Sequence, residues 1–458
     1  MPYNRFTSER DLRPAIHFTP PHMWMNDPNG MLYENGTYHL FYQHCPFSPT
    51  PGSMHWGHAV SRDLIHWQHR PIAVYPDELG VIFSGSGVYD KENTSGFGTK
   101  ENPPMIAMFT SHGKTEQQSI AYSLDGGEHF EKYYGNPVIP NRDLKDFRDP
   151  KVFWNPVKAC WSVIVAAGDR AHFYASPDLR SWTKTGEFGA EGNPLPGIWE
   201  CPDLLRMEFE GKEKWVLIAN MIADGREIPH RTQYFIGDFD GDRFICTEKT
   251  TEPLLLDGGL DNYAGVTFQN TEKPILIGWA LNWSYATVVP TGEFRGQMTL
   301  ARQLSLQNTA EGLRLASEPL GLEPYRAGAY PVEKETPLYT DSFGLLAATE
   351  PGSRLILSNE AGEKVILSIG EETITLDRTA SGRTDFSPKF ALPESLTATV
   401  KRKTTGTAEL ELIFDVSILE LFAENGLTAI SSTVYPQHPY TRLTIEGNTD
   451  VLIYPIGN

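Results

Sequence analysis

Three carboxylates stand in settings suited to proton transfer and bond cleavage: Asp27 in Trp24-Met-Asn-Asp-Pro-Asn-Gly30, Asp149 in Phe147-Arg-Asp-Pro150, and Glu200 in Trp199-Glu-Cys-Pro-Asp203. Two carboxyls in one pocket are the minimum for breaking a glycosidic bond, one to attack or activate water and one to protonate the departing oxygen. Glu200 follows Gly197-Ile198-Trp199 and precedes Cys201, apolar neighbours that disfavour its charged form, as a general acid near neutral pH requires. Asp27, flanked by Asn26 and Asn29, has amide donors that stabilise an anion, as a nucleophile requires. Asp149 beside Arg148 is expected to stay ionised whatever its burial. Its task would be to grip sugar hydroxyls and balance charge in an oxocarbenium-like transition state. Each site alone also has a plain structural reading: Asp-Pro and Asn-Gly are turn dipeptides, Arg148–Asp149 reads as an ion pair, and Glu200 before Cys-Pro as a surface turn.

What sets these residues apart is a repeat that must position them. A strand, a turn built on aspartate and an aromatic recur at His58–Trp67, Ile120–Phe130, Phe173–Trp182 and Phe235–Phe244, with aspartates at 63, 125, 178 and 240. Spacings of 62, 53 and 62 residues hold four strands with their turns, which is one propeller blade. A second series falls before the leading strand of each unit: Asn26-Asp27, Phe83-Ser84, Arg148-Asp149, Glu200 to Asp203, and Asp261-Asn-Tyr263. These predict five blades, with the clusters meeting at one end of a central funnel. Asp27 is expected at the mouth of its strand and not inside it. Trp24, Gln43, Trp56, Trp199, Tyr263 and Trp279 fit a core or a sugar-stacking wall equally.

Beyond residue 306 the aromatic turn signature stops. Residues 318–337 are rich in Pro, Gly and Glu like a linker. Short strands separated by turns then predict an antiparallel β-sandwich. The expected organisation is all-β: a five-bladed β-propeller over 1–317, a linker over 318–337 and a β-sandwich over 338–458.

Composition sets bounds. A chain of 458 residues with 40% hydrophobic content can bury several cores. The formal net charge of −19 argues against nucleic acid or an anionic membrane as partner. The four cysteines have no metal-ligand spacing. His55, His58, His66 and His69 alternate along one strand and its turn, so no metal site is expected. The polar stretch Met1 to Arg13 has no apolar segment, which predicts a cytoplasmic protein, or a secreted one if a signal has been trimmed.

Taken together, Trp24 to Gly30, Phe83-Ser-Gly-Ser86, Phe147 to Pro150, Trp199 to Asp203 and Asp261-Asn-Tyr-Ala264 resemble glycoside hydrolase family 32, the invertases, inulinases and levanases. Tyr75-Pro-Asp-Glu78, Asn93 to Phe97 and Asn136 to Pro140 are similar to its bacterial exo-levanase and β-fructosidase branch. The resemblance implies a five-bladed propeller followed by a sandwich, and a retaining mechanism without metal or organic cofactor. It implies Asp27 as nucleophile, Glu200 as acid/base and Asp149 as transition-state stabiliser. Asn26, Gln43, Phe83, Ser84, Arg148, Tyr263 and Trp279 would hold the terminal fructose, and Cys201 would tune the acid. The substrate implied is a fructose-containing oligo- or polysaccharide, sucrose, inulin or levan; a homodimer is possible.

One place departs from the family pattern. Relatives usually carry a tryptophan eight residues after the glutamine matching Gln43, and here that place is Pro51. Phe47 or a residue from another chain is expected to fill the gap, or the sugar is held less tightly there. Competing functions are a fructosyltransferase, a five-bladed arabinan or xylan hydrolase, and an inactive carbohydrate-binding propeller.

Overall fold

In the computed structural model, which describes residues 11–189, 195–222 and 230–457, the regular structure is almost all β-strand, paired antiparallel save for Met23 and Trp24 beside Phe294 and Arg295. The polar amino-terminal stretch lies, over residues 1–10, outside the described residues. The first hairpin shows how local sequence builds the blades. Asn35 and Gly36 take φ of 49° and 77°, the left-handed pair that a two-residue turn needs to match strand twist. It joins Met23–Glu34 to Thr37–Cys45, and His55–Ser61 and Trp67–Val74 complete the sheet.

Among the described residues, four further sheets follow in chain order, led by Val81–Tyr89, Phe147–Asn155, Ile198–Phe209 and Tyr263–Thr267. With the first they are the five blades of a β-propeller. The fifth blade meets the first through Tyr33 N–H to Gln269 O and Gln269 N–H to Met31 O, both 3.0 Å, which closes the ring. The blade-turn aspartates are structural. Asp63 accepts the backbone N–H groups of Ile65 and His66, Asp178 those of Arg180 and Ser181, and Asp240 those of Asp242 and Arg243. Each aspartate thereby satisfies turn amides that no strand pairs.

Two six-stranded sheets among the described residues form the C-terminal β-sandwich. Ser353–Ser358 alternates buried and less buried residues, as expected with one face on the core and one on solvent. Ile418–Ala423 and Thr428–Thr433 bury every residue, because their second face lies against the propeller. The expected linker does more than connect. It carries the end of the last propeller strand (to Pro319), a helical turn at Glu323–Arg326 and two short strands, Tyr330–Pro331 and Glu335–Pro337, that pair into the sandwich.

The contact between the two parts combines an apolar cluster, in which Ile65 and Leu300 meet Phe422 and Tyr454, with buried ion pairs. His17 meets Asp415 at 2.8 Å and Glu420 at 3.1 Å; Arg302 joins Asp257 and Glu420; Arg378 joins Asp261. Buried charges of this kind are tolerable only when fully paired, so the two parts dock in one register. Asp261 ties this contact to the funnel, for it lies two residues before Tyr263.

Candidate active site

The first strand of each blade breaks its ladder at the position of its polar cluster. The register slips between Met25 and Pro28, Ile82 and Gly85, Arg148 and Lys151, Glu200 and Asp203, and Tyr263 and Val266. Asp27, Ser84, Asp149, Cys201 and Ala264 occupy these breaks. A bulge leaves one residue unpaired and re-aims its side chain. Pro28, Pro150 and Pro202 follow three of these residues at once and supply no N–H to the ladder. Asp149, Cys201 and Ala264 hold φ of 63°, 42° and 54°, left-handed backbone that persists only where the surroundings enforce it. Asp27 is therefore inside its strand, at a bulge, and not at the strand mouth that the Asp-Pro dipeptide suggested.

Polar side chains from the adjacent blade or from the neighbouring strand satisfy the groups that the bulges free. Ser86 Oγ donates to Pro150 O and accepts Val152 N–H, both at 2.8 Å. Asn29 Oδ1 accepts Gly85 N–H, and Asn220 Nδ2 donates to Cys201 O at 3.1 Å. Gly30, at φ 56°, has no room for a side chain, since a Cβ there would stand 2.6 Å from the Phe41 ring.

Asp27 and Asp149 meet at a single sulphur. Cys201 Sγ lies 3.7 Å from Asp27 Oδ2 and 3.6 Å from Asp149 Oδ2, and Cys201 N–H donates to Asp149 Oδ2 at 2.9 Å. Asp27 also accepts Ser84 Oγ–H at 2.6 Å and Asn26 Nδ2–H at 3.0 Å. The Trp24 indole N–H donates to Asn26 Oδ1 at 2.7 Å, which fixes the amide with its NH2 toward the carboxylate. Burial raises Asp27 above the ordinary carboxylate range despite these donors. Burial and the neighbouring carboxylates push the Cys201 thiol well up, so it stays protonated and acts as a donor.

Arg148 corrects the sequence expectation. Its guanidinium turns from Asp149 to Glu200, with Nε and Nη2 each 3.2 Å from Oε1, and to Glu116 and Asp146. Arg148 still favours the charged form of Asp149, but it is outweighed. Burial raises it, the charges of Glu200 and Asp27 raise it further, and Arg148 offsets only part. Glu200 is likewise raised by burial and by Asp27, against Arg148 and the Tyr263 hydroxyl, which donates to Oε2 at 2.8 Å. Its immediate partners are thus a cation and a phenol, while the apolar setting comes from the fold. Three carboxyls this close do not all ionise readily, so the cluster retains a transferable proton toward neutral pH.

The remaining expected residues divide. Trp279 pairs with Tyr263 across the strands and packs on Trp24 and Trp283 at 5.9 and 4.9 Å. Gln43 Nε2 and Trp279 Nε1 are buried with no hydrogen-bond partner among the described residues. Phe83 stacks on His112 at 4.1 Å. Trp56 is core: it packs with Leu32, Phe41 and Phe109, and its indole N–H is spent on Phe83 O at 3.1 Å. Phe47 is 70% exposed with its ring 5.8 Å from His55.

The family model for the Glycosyl hydrolases family 32 N-terminal domain matches residues 17–319, and that for the family 32 C terminal matches residues 340–452. The chain belongs to glycosyl hydrolase family 32. Among this family, a levanase of Bacillus subtilis (strain 168) is 40% identical over 456 residues, covering 93% of this chain and 67% of the levanase. The crystal structure of an exo-inulinase from Aspergillus awamori superposes with a TM-score of 0.89 at 30% identity, over 99% of each chain. A fructofuranosidase from Schwanniomyces occidentalis in complex with fructose gives 0.86 at 28% identity, again over 99% of each.

As a family 32 hydrolase the chain has further site residues that its motifs do not reveal. Glu116 and Asp146 share Arg148, and Thr110 Oγ1 accepts Asp149 N–H at 2.9 Å. Thr110 and Glu116 lie on the second and third strands of blade 2, outside the leading-strand series. The available signal was weak: the two residues flank a hairpin whose polar residues persist into strands that are otherwise apolar.

Proposed function

We propose that the chain is a retaining exo-β-fructofuranosidase that removes terminal fructosyl units from levan- or inulin-type fructans and from sucrose. The observation that carries this reading is the meeting of Asp27, Asp149 and Glu200, from three blades, around Cys201 and Arg148. An Asp27 oxygen attacks the anomeric C2 of the terminal unit. The C2–O bond to the leaving group breaks, and Glu200 gives its proton to the departing oxygen. Glu200 then removes a proton from water, which attacks C2 and frees Asp27. Asp149, held by Cys201 N–H, offsets with its charge the positive character of the ring as the bond breaks. The levanase and exo-inulinase similarities support a fructan chain end over sucrose alone.

Incubation with sucrose, inulin and levan tests this. Free fructose as the first and dominant product from chain ends is expected. Release of arabinose or xylose from their polymers with fructans untouched would overturn it, as would kestose-type transfer products exceeding fructose.

A further inference from the structure

Arg148 is surrounded by acids on three sides. Its Nε and Nη2 reach Glu200 Oε1 at 3.2 Å, while Nη1 reaches Glu116 Oε2 at 3.1 Å and Asp146 Oδ1 at 2.8 Å. Glu116 opens the strand Glu116–Ser123 of blade 2, and Asp146 precedes the first strand of blade 3. Both are largely buried, with side-chain exposures of 12% and 20%, so water screens the contacts only partly. Glu116 also faces His112 Nδ1 at 3.2 Å, and the His112 ring is the one that carries Phe83.

The negative charges of Glu116 and Asp146 beside the guanidinium offset at Glu200 part of the stabilisation that Arg148 alone would give its carboxylate. Glu200 would be a far weaker proton donor if Arg148 belonged to it entirely, because a single close guanidinium favours the carboxylate form. We propose that Glu116, seconded by Asp146, is a positioning residue for the acid/base: its negative charge offsets that of Arg148 at Glu200, so that Glu200 keeps a proton to give. The inference rests on Glu200 serving as the acid. Among the described residues, the charged and titratable groups facing the cluster are His112, Glu116, Asp146, Arg148, Asp27, Asp149, Cys201 and Tyr263, and of these Glu116 and Asp146 touch Arg148 without touching Glu200.

Glu116→Gln tests this, since the amide oxygen can still accept from Arg148 while the negative charge is gone. The readout is the pH profile of kcat/KM on sucrose, which reports the free enzyme's acid. The alkaline limb is expected to move to lower pH by roughly half to one unit, more than the acid limb moves. Asp146→Asn is expected to shift it the same way. An alkaline limb unmoved in both variants, or moved to higher pH, overturns the proposal. A carbon-13 titration of the glutamate carboxyls, with Glu200→Gln identifying the signal, reads the same shift without turnover. A protein that does not release fructose therefore defeats the functional reading, while the carbon-13 shift still decides whether Glu116 tunes Glu200. Should Glu116→Gln not fold, the Asp146→Asn shift decides.

Discussion

The hydroxyl of Tyr263, on blade 5, donates to Oε2 of Glu200, on blade 4, at 2.8 Å. Together with Arg148 on Oε1 it holds both oxygens of a carboxyl that burial has raised. The phenol stabilises the anion left when Glu200 gives up its proton, so it contributes where charge develops. Tyr263→Phe is expected to move the alkaline limb of kcat/KM to higher pH. It should also lower kcat/KM at the optimum roughly tenfold or more, the worth of a hydrogen bond to a charged group. The shift is opposite in sign to that expected for Glu116→Gln, and pH profiles of the two variants measured side by side check both.

Asp27 and Glu200 are separable by leaving group. Glu200→Gln should lose roughly 10³-fold on sucrose but far less on an aryl β-fructofuranoside, whose leaving oxygen needs no proton. Asp27→Asn should lose as much on both substrates, because no fructosyl-enzyme forms. Steady-state rates on the two substrates decide; equal losses for Glu200→Gln would remove its role as acid.

Cys201 stands between two carboxylates, and its thiol is pushed well above the ordinary range. The thiolate is the reactive form, so iodoacetamide at pH 8 is expected to leave activity intact. Cys201→Ser, which keeps a donor between Asp27 and Asp149, should retain most of kcat, whereas Cys201→Ala removes the one side-chain donor the two carboxylates share and should lose more. Inactivation by alkylation that tracks label on Cys201 would contradict this assignment.

Much of this site was legible in sequence because it repeats. Asp27, Ser84, Asp149, Glu200 and Tyr263 fall at intervals of one blade, and a ring of blades brings equal positions together whatever their separation. The bulges were not legible. Asp-Pro and Cys-Pro read as turns at strand ends, since a proline in a central strand argues against the strand, and only the assembled sheet shows ladders resuming beyond Pro28, Pro150 and Pro202. The partners of Arg148 were hidden for a related reason. Asp149 is adjacent in the chain, but its left-handed backbone turns the two side chains apart, and the guanidinium reaches Glu200 and Glu116 instead. The ionic contact between propeller and sandwich joins residues far apart, such as His17 and Asp415, and no periodicity marks it.

That contact makes stability depend on pH. Burial alone would lower His17, but its bonds to Asp415 and Glu420 outweigh this and raise it to about 9. A group raised on folding contributes fully below its unfolded value, about 6.5, and the contribution disappears as pH rises through 9. Glu420 goes the other way: against burial, Arg302 and His17 hold it down to about 2. Its contribution is present above about 4.5 and is lost as pH falls toward 2. Tm measured from about pH 6 to 9 should fall for the wild type and fall less for His17→Gln, so the two curves converge. Curves that stay parallel would show that His17 is not charged in the folded protein.

A retaining mechanism requires that Asp27 bond to C2 of the sugar and that water or another acceptor later replace it from the opposite side. Methanolysis reads this outcome: sucrose is turned over in aqueous methanol, and the methyl fructofuranoside formed first is analysed by NMR. Two inversions, at Asp27 and again at the acceptor, predict the β-anomer. The α-anomer as the initial product would show a single displacement, and Asp27 would then not be the nucleophile.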